Sequence, residues 1–173
     1  MKDIDFILKR RSCRDFLGTP LKKGDLDILL EALRRAPSAG NAQPWFFYVI
    51  KNEKIKKQLA EAAFGQNFLI KAPVVFMVCS IPRISSSAYG ERGKSLYCIQ
   101  DTAAAAENLL IAATALGYGS CWIGAFDETR ARTVMNIPEH MRPVAIIPVG
   151  PGSISPGESS RREISEISLI IDS

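Results

Sequence analysis

The amino-acid sequence predicts one domain of mixed helices and strands, and three observations carry that reading. The chain has 173 residues, enough to bury about two thirds of its unfolded surface in a single core and few for two ordinary domains. Segments with apolar residues at helical spacing alternate with short β-branched or aromatic runs along its length. No repeat or linker interrupts them. Such alternation ordinarily gives a parallel, doubly wound sheet, but the GxGxxG turn that usually follows a strand is missing, so pattern alone leaves the strand directions open.

Asp3 is placed to cap a first helix over residues 4–9, whose apolar face carries Ile4, Ile7 and Leu8. After Asp25, Leu26, Leu29, Leu30 and Leu33 recur at helical spacing, and Pro37 stops that helix because the residue before a proline is kept out of the helical region. The stretch APSAGNAQPW, residues 36–45, joins this helix to an aromatic strand over residues 45–50. Asn52 caps a helix through Ala63, and PVVFMVC, residues 73–79, reads as a more deeply buried strand. RISSSAYGERGK, residues 83–94, has three serines in a row and two glycines, the composition of an exposed, mobile loop.

A long helix is expected over residues 96–116, and its residues 103–116 are apolar around almost the whole circumference, so it needs cover on every side. That cover is either the centre of one domain or a second copy of the chain. Residues 118–123 read as a third strand, Asp127 caps a helix through Met135, and residues 144–149 make a fourth strand ending at Gly150. The tail SISPGESSRREISEI is polar and then amphipathic.

Composition removes several functional classes. Apolar residues are 47% of the chain and charged residues 23%, the profile of a soluble globular protein. The longest apolar-leaning run, residues 102–126, is broken by Glu107, Gly117, Gly119 and Gly124, so no membrane span is expected. The N-terminus opens with Lys2, Asp3 and Asp5 and has no apolar signal core, which points to the cytoplasm. Cys13, Cys79, Cys98 and Cys121 are scattered and His140 stands alone, an inventory that makes no Cys/His metal cage and suits buried free thiols. The net charge of +4 is interspersed with acids and lacks any aromatic RNA-reading motif, so no nucleic acid partner is expected. A local anion site explains the excess equally well.

Arg10, Arg11, Ser12 and Arg14 place three guanidinium groups and a hydroxyl within five residues at the end of the first helix. Cations at a helix C-terminus complement its dipole, for a few tenths to about 1 kcal/mol each. Three of them with a serine, and a second pair at Arg161 and Arg162, also make a phosphate clamp, since each guanidinium forks onto phosphate oxygens. Both readings stay open on the residues alone. In residues 36–45, Ser38, Asn41 and Gln43 put donors and acceptors on a backbone fixed by Pro37 and Pro44, as a planar heterocycle with several carbonyls would require. Turn chemistry accounts for Ser38 and Asn41 but gives no reason for Gln43.

RRSCRDF at 10–16, PSAGNAQPW at 37–45, GYGSCWIGAF at 117–126 and IIPVG at 146–150 resemble, in order and spacing, the nitroreductase family of FMN-dependent oxidoreductases. The similarity runs from about residue 4 to residue 168. It implies an α+β, three-layer fold with a largely antiparallel central sheet flanked by helices, in a homodimer that binds two FMN at the subunit interface. By the same resemblance Arg10, Arg11, Ser12 and Arg14 match phosphate and ribityl contacts, with Arg161 or Arg162 completing the clamp. ESSRREISEI departs from the family's usual tail and leaves open which of the two does so. Pro37, Ser38, Ala39, Asn41 and Gln43 match the segment that reaches the flavin of the other subunit, Gln66 and Asn67 a polar position near the ring, and Ile123 with Gly124 the backbone running along it.

The implied chemistry is ping-pong transfer: NADH or NADPH gives a hydride to FMN, and a nitroarene, quinone or similar flat electron-poor acceptor takes the electrons in the same place. The cofactor carries the difficult step, and no catalytic side chain is assigned. His140 follows Pro138 and Glu139 in a turn and is expected at the surface. Phe64, Phe68, Tyr89 and Phe126 are candidates to line the acceptor pocket, with residues 83–94 as its lid. A flavin-binding protein without turnover is the alternative, because an anion clamp requires only binding.

Overall fold

The computed structural model describes residues 4–153 and 160–172. In chain order its elements are α1 (Asp5–Lys9), β1 (Asp15–Phe16), α2 (Asp25–Arg34), β2 (Trp45–Ile50), α3 (Glu53–Ala62), β3 (Val74–Ser80), α4 (Pro82–Arg92), α5 (Cys98–Ala115), β4 (Gly119–Ser120), α6 (Glu128–Met135), β5 (Arg142–Gly150), β6 (Gly152–Ser153) and α7 (Ile164–Ile167). Short 3₁₀ turns at Ala39–Asn41 and Asn67–Lys71 and a π turn at Gly93–Tyr97 complete the path.

The central sheet has the order β2-β3-β5-β4, and every neighbouring pair is antiparallel. β1 and β6 form a separate antiparallel ribbon. The parallel sheet that element order would ordinarily give is therefore absent from these pairings, and the antiparallel sheet implied by the family resemblance is present. Element order does not encode how a connection returns to the sheet. Between β2 and β3 the chain adds a 3₁₀ turn to α3, and between β3 and β5 it inserts two long helices, β4 and α6, so either direction was available.

β3 is buried at every position because helices cover both faces of the sheet. Val74, Phe76 and Val78 pack with Leu29, Leu33, Ala106 and Leu109 of α2 and α5. Val75, Met77 and Cys79 point the other way, into a core with Leu59 and Ala62 of α3 and Ala131 of α6. Three layers result, and the period-two alternation of a strand distributes one apolar run between two cores. All four cysteines are buried and free.

The caps at Asn52 and Asp127 form as the sequence indicates: their side chains accept from the Ile55 and Arg130 amides. Asp3 lies outside the described residues, and Ile4 occupies the N-cap of α1 without a side-chain bond. Residues 83–94 are not the loop their composition suggested. Pro82 starts α4, the Ser86 and Ser87 hydroxyls bond back to the Arg83 carbonyl, and the π turn leads on into α5. Serine's weak helix propensity is overridden by packing, for Ser85 is fully buried. The third strand also shrinks from residues 118–123 to Gly119–Ser120, with Ile123 making one further bridge to Ile146.

The inner face of α5 is buried against the sheet and α2, with Ala104 and Ala112 packed at its margin, whereas Ala103 and Ile111 are only half-buried and Glu107 is exposed in one chain. No helix among the described residues is long and apolar enough to cross a membrane.

Candidate functional site

The first half of the site forms where α1 ends and the chain runs into β1. The Arg10 amide closes the helix on the Phe6 carbonyl, and extended backbone follows. Alternation then turns the Cys13 side chain inward and leaves Ser12 and Arg14 exposed. The Cys13 amide donates to the Ser120 carbonyl at 2.8 Å, and Ser12 forms a parallel bridge with Ser120. Glycine at 119 and 152 permits this approach, because a Cβ at either position would collide with the Cys13 sulfur.

Arg10, Ser12 and Arg14 converge near Cys121. Burial raises the Cys121 thiol pKa, and the charges of Arg14 and Arg10 and a hydrogen bond from Ser12 pull against that rise. Arg10 Nε also lies 3.7 Å from Glu107 of α5. Arg11 is half-buried. Arg14 makes no hydrogen bond or ion pair among the described residues, and the buried hydroxyl of Ser120 has no hydrogen-bond partner there. Arg10, Ser12 and Arg14, three of the residues proposed for anion contact, therefore neighbour one thiol, that of Cys121.

The second half is the connection from α2 to β2. Ser38 is extended, and its hydroxyl accepts the Gln43 amide at 3.0 Å. Gly40, Asn41 and Gln43 all have left-handed backbone, with φ of 55°, 56° and 52°. The Gln43 side-chain amide reaches back to the Asn41 carbonyl and side-chain oxygen at 3.2 and 3.3 Å. The puzzle of Gln43 thus has a structural answer: it braces Asn41. Both side chains are exposed. From outside the loop, Asp101 of α5 accepts the Ala39 amide at 3.1 Å, and the Tyr89 hydroxyl lies against Gly40.

Gln66 donates to the Ala125 carbonyl at 3.2 Å and so ties the α3–β3 connection to residues 123–126, while Asn67 opens the 3₁₀ turn beside it. Ile123 is buried and both its backbone groups bond Ile146, which leaves exposed Gly124 as the open backbone of that stretch. Among the four aromatic candidates, Phe126 is buried in the α3/α6 core and Phe68 is half-buried against it. Their core positions remove most of their ring surface from any pocket. Phe64 is 72% exposed with φ of 56°, and Tyr89 packs edge-on against Tyr97 at 5.3 Å.

Arg161 donates to the Ser160 carbonyl, and Arg162 turns to Glu166 of α7. His140 is exposed in its turn. Asp101 and Trp122 were not singled out in the sequence. A carboxylate directly before a run of alanines in a largely apolar helix was the available signal for Asp101, and an indole beside Gly124 was the one for Trp122, which is partly exposed.

A model described as the nitroreductase family matches residues 7–78 and 62–151. An NADH dehydrogenase of Thermus thermophilus is 30% identical over 170 residues, covering 83% of this chain and 83% of its own length. Among solved structures, a nitroreductase family protein from Streptococcus pneumoniae superposes with a TM-score of 0.86 at 26% identity, covering 97% of this chain and 99% of its own. One from Clostridium novyi gives a TM-score of 0.80 at 29% identity, covering 92% and 89%.

Proposed function

This chain belongs to the nitroreductase family, and on that premise we propose that it is an FMN-dependent oxidoreductase using NADH or NADPH to reduce flat, electron-poor acceptors such as nitroarenes and quinones. The observation that carries the reading is that Arg10, Ser12 and Arg14 all neighbour Cys121, on the segment whose backbone pairs with Ser120. FMN has an anionic phosphate and a planar ring edged with carbonyls and nitrogens. The cationic patch suits the first and the Asn41–Gln43 loop the second, so the residues present fit the group.

Arg10, Arg11 and Arg14, with Arg161 or Arg162 from the tail, would hold the phosphate, and Ser12 the ribityl chain. Pro37, Ser38 and Ala39 would set the loop, Asn41 and Gln43 would hydrogen-bond the ring edge, and Gln66 and Asn67 would meet it from the other side. Gly124, having no Cβ, would let backbone lie along the ring beside Ile123. Bound FMN would supply the redox chemistry, taking a hydride from the nicotinamide and passing electrons to the acceptor in ping-pong order. The protein's share is orientation and exclusion of water, and no side-chain acid or base is assigned. Phe64 and Tyr89 offer the ring surface an acceptor would stack against.

The proposed unit is a homodimer. Half-buried Ala103 and Ile111 of α5 and the exposed tail residues Ile164, Ile167, Leu169, Ile170 and Ile171 are apolar surface that a second copy would cover. Asp101 and Glu107, which hold the two halves of the site, lie about 9 Å apart along α5 and on different faces. That spread suits two sites shared between two chains.

The purified protein is expected to be yellow and to bleach when NADH or NADPH is added without oxygen, the colour returning with a quinone or nitroarene. Colour without bleaching would leave a flavin-binding protein without turnover. Arg14→Ala is expected to weaken FMN binding at least tenfold, since a phosphate that loses one charge-assisted partner loses at least about 1.4 kcal/mol. Unchanged FMN retention on dialysis would reduce the basic cluster to dipole complementation.

A further inference from the structure

Asp101 lies in the first turn of α5, 7% exposed, in a stretch followed by Thr102 and four alanines. Oδ1 accepts the Ala39 amide at 3.1 Å, and Oδ2 has no hydrogen-bond partner among the described residues. Burying a carboxylate with one oxygen unpaired is costly, and packing of α5 gives no reason for it at a position that alanine would fill. Burial pushes the Asp101 pKa up, which the Ala39 amide opposes.

The amide it holds begins the Ala39–Asn41 turn. Three of the four residues that follow Ala39 are left-handed, and two of these are not glycine. Backbone of this kind persists only where its surroundings over-determine it. Ser38 supplies one restraint from within the loop through the Gln43 amide, and the Tyr89 hydroxyl meets Gly40 from α4. Asp101 supplies the charge-assisted restraint from the rigid body of the protein. Cys98 of α5 lies beside Asp101 and also neighbours Ser80 at the end of β3, after which the Ile81 amide bonds the Pro44 carbonyl and fixes the loop's exit.

We propose that Asp101 is a positioning residue for this loop: its carboxylate fixes the Ala39 amide and thereby holds Asn41 and Gln43 in the conformation that meets the ring. The last clause rests on the flavin assignment above, while the tether itself does not. Asp101→Ser removes the reach to Ala39, and Asp101→Asn keeps an acceptor oxygen in place.

Two measurements decide it. In flavin-free protein, amide hydrogen exchange of residues 36–45 is expected to quicken about tenfold in Asp101→Ser and to stay near wild type in Asp101→Asn. FMN titration, followed by quenching of its fluorescence, is expected to show about tenfold weaker binding for Asp101→Ser and recovery in Asp101→Asn. Unchanged exchange in Asp101→Ser, or exchange as fast in Asp101→Asn, overturns the tether. Wild-type protein that fails to quench FMN overturns the flavin reading, and the exchange result still decides the tether. Should Asp101→Ser not fold, Asp101→Glu, which displaces the oxygen by one methylene, is read by the same two measurements with the same expected loss.

Discussion

Lys56 illustrates at the residue scale how a charge becomes part of a core. It occupies the inward face of α3, 2% exposed, and its ammonium donates to the Ile70 and Ala72 carbonyls, each at 2.8 Å, with Glu53 at 2.7 Å. All three of its donors are used, which is what allows a lysine to be buried. Lys56→Met would leave two carbonyls without a partner, and a destabilisation of about 1–3 kcal/mol is expected in urea unfolding. Asp101 behaves in the opposite sense. Its pKa is raised by burial, so the folded chain holds that proton more tightly than the unfolded one. The resulting contribution to stability is full below the ordinary carboxylate pKa of about 3.9 and is lost as pH rises through the raised folded value. Asp101→Asn is therefore expected to remove that decline and to match or exceed wild-type stability at neutral pH. Denaturation midpoints of the two flavin-free proteins between about pH 4 and 7 would test it, with the buried Cys98 thiol beside Asp101 remaining neutral throughout that range.

At the scale of elements, α4 is where local propensity and packing disagree. Three serines and a glycine argue against a helix, yet the helix forms because its N-terminal proline costs no hydrogen bond and its buried face includes Ser85. Gly90 then breaks the regular geometry with φ of 55° and ψ of −141°. Gly93 has a different duty. A Cβ there would collide with the backbone carbonyl of Ser85, which cannot swing aside as a side-chain tip can. Gly93→Ala is expected to push α4 off the π turn and cost about 1–3 kcal/mol. Urea unfolding measures it, and Ser95→Ala, an exposed neighbour, serves as the control with a change expected within about 0.5 kcal/mol. Because Tyr89 of α4 meets Gly40, loss of α4 packing should also reach the loop that carries Asn41 and Gln43.

For the whole molecule, the exposed tail poses the main energetic question. Leu169, Ile170 and Ile171 are 79–84% exposed, a concentration of apolar surface that a soluble single chain would rarely leave in water. Sedimentation is expected to give a dimer, and replacing these three residues by serine is expected to shift the protein toward monomer and to lower FMN retention together. A wild-type monomer that retains FMN would contradict the shared site. So would a serine variant that dissociates with its flavin retained.

The sequence by itself determined most of the helices and the inner strands, because burial imposes a periodicity that survives in one dimension: Leu26 to Leu33 at helical spacing, the unbroken apolar run of β3, and the caps at Asn52 and Asp127. The motifs RRSCRDF and PSAGNAQPW also pointed to the family and to the two segments that build the candidate site. Only the tertiary structure decided the strand directions, the two-residue strands β1 and β6, the helical state of residues 83–94 and the inward placement of Phe126. Each of these depends on partners far along the chain. A two-residue strand has no period, a connection's length does not state its direction, and serine's preference is worth less than the contacts that overrule it. Asp101 belongs with them: one acidic letter among alanines becomes legible only when the amide of Ala39, 62 residues away, is seen resting on its oxygen.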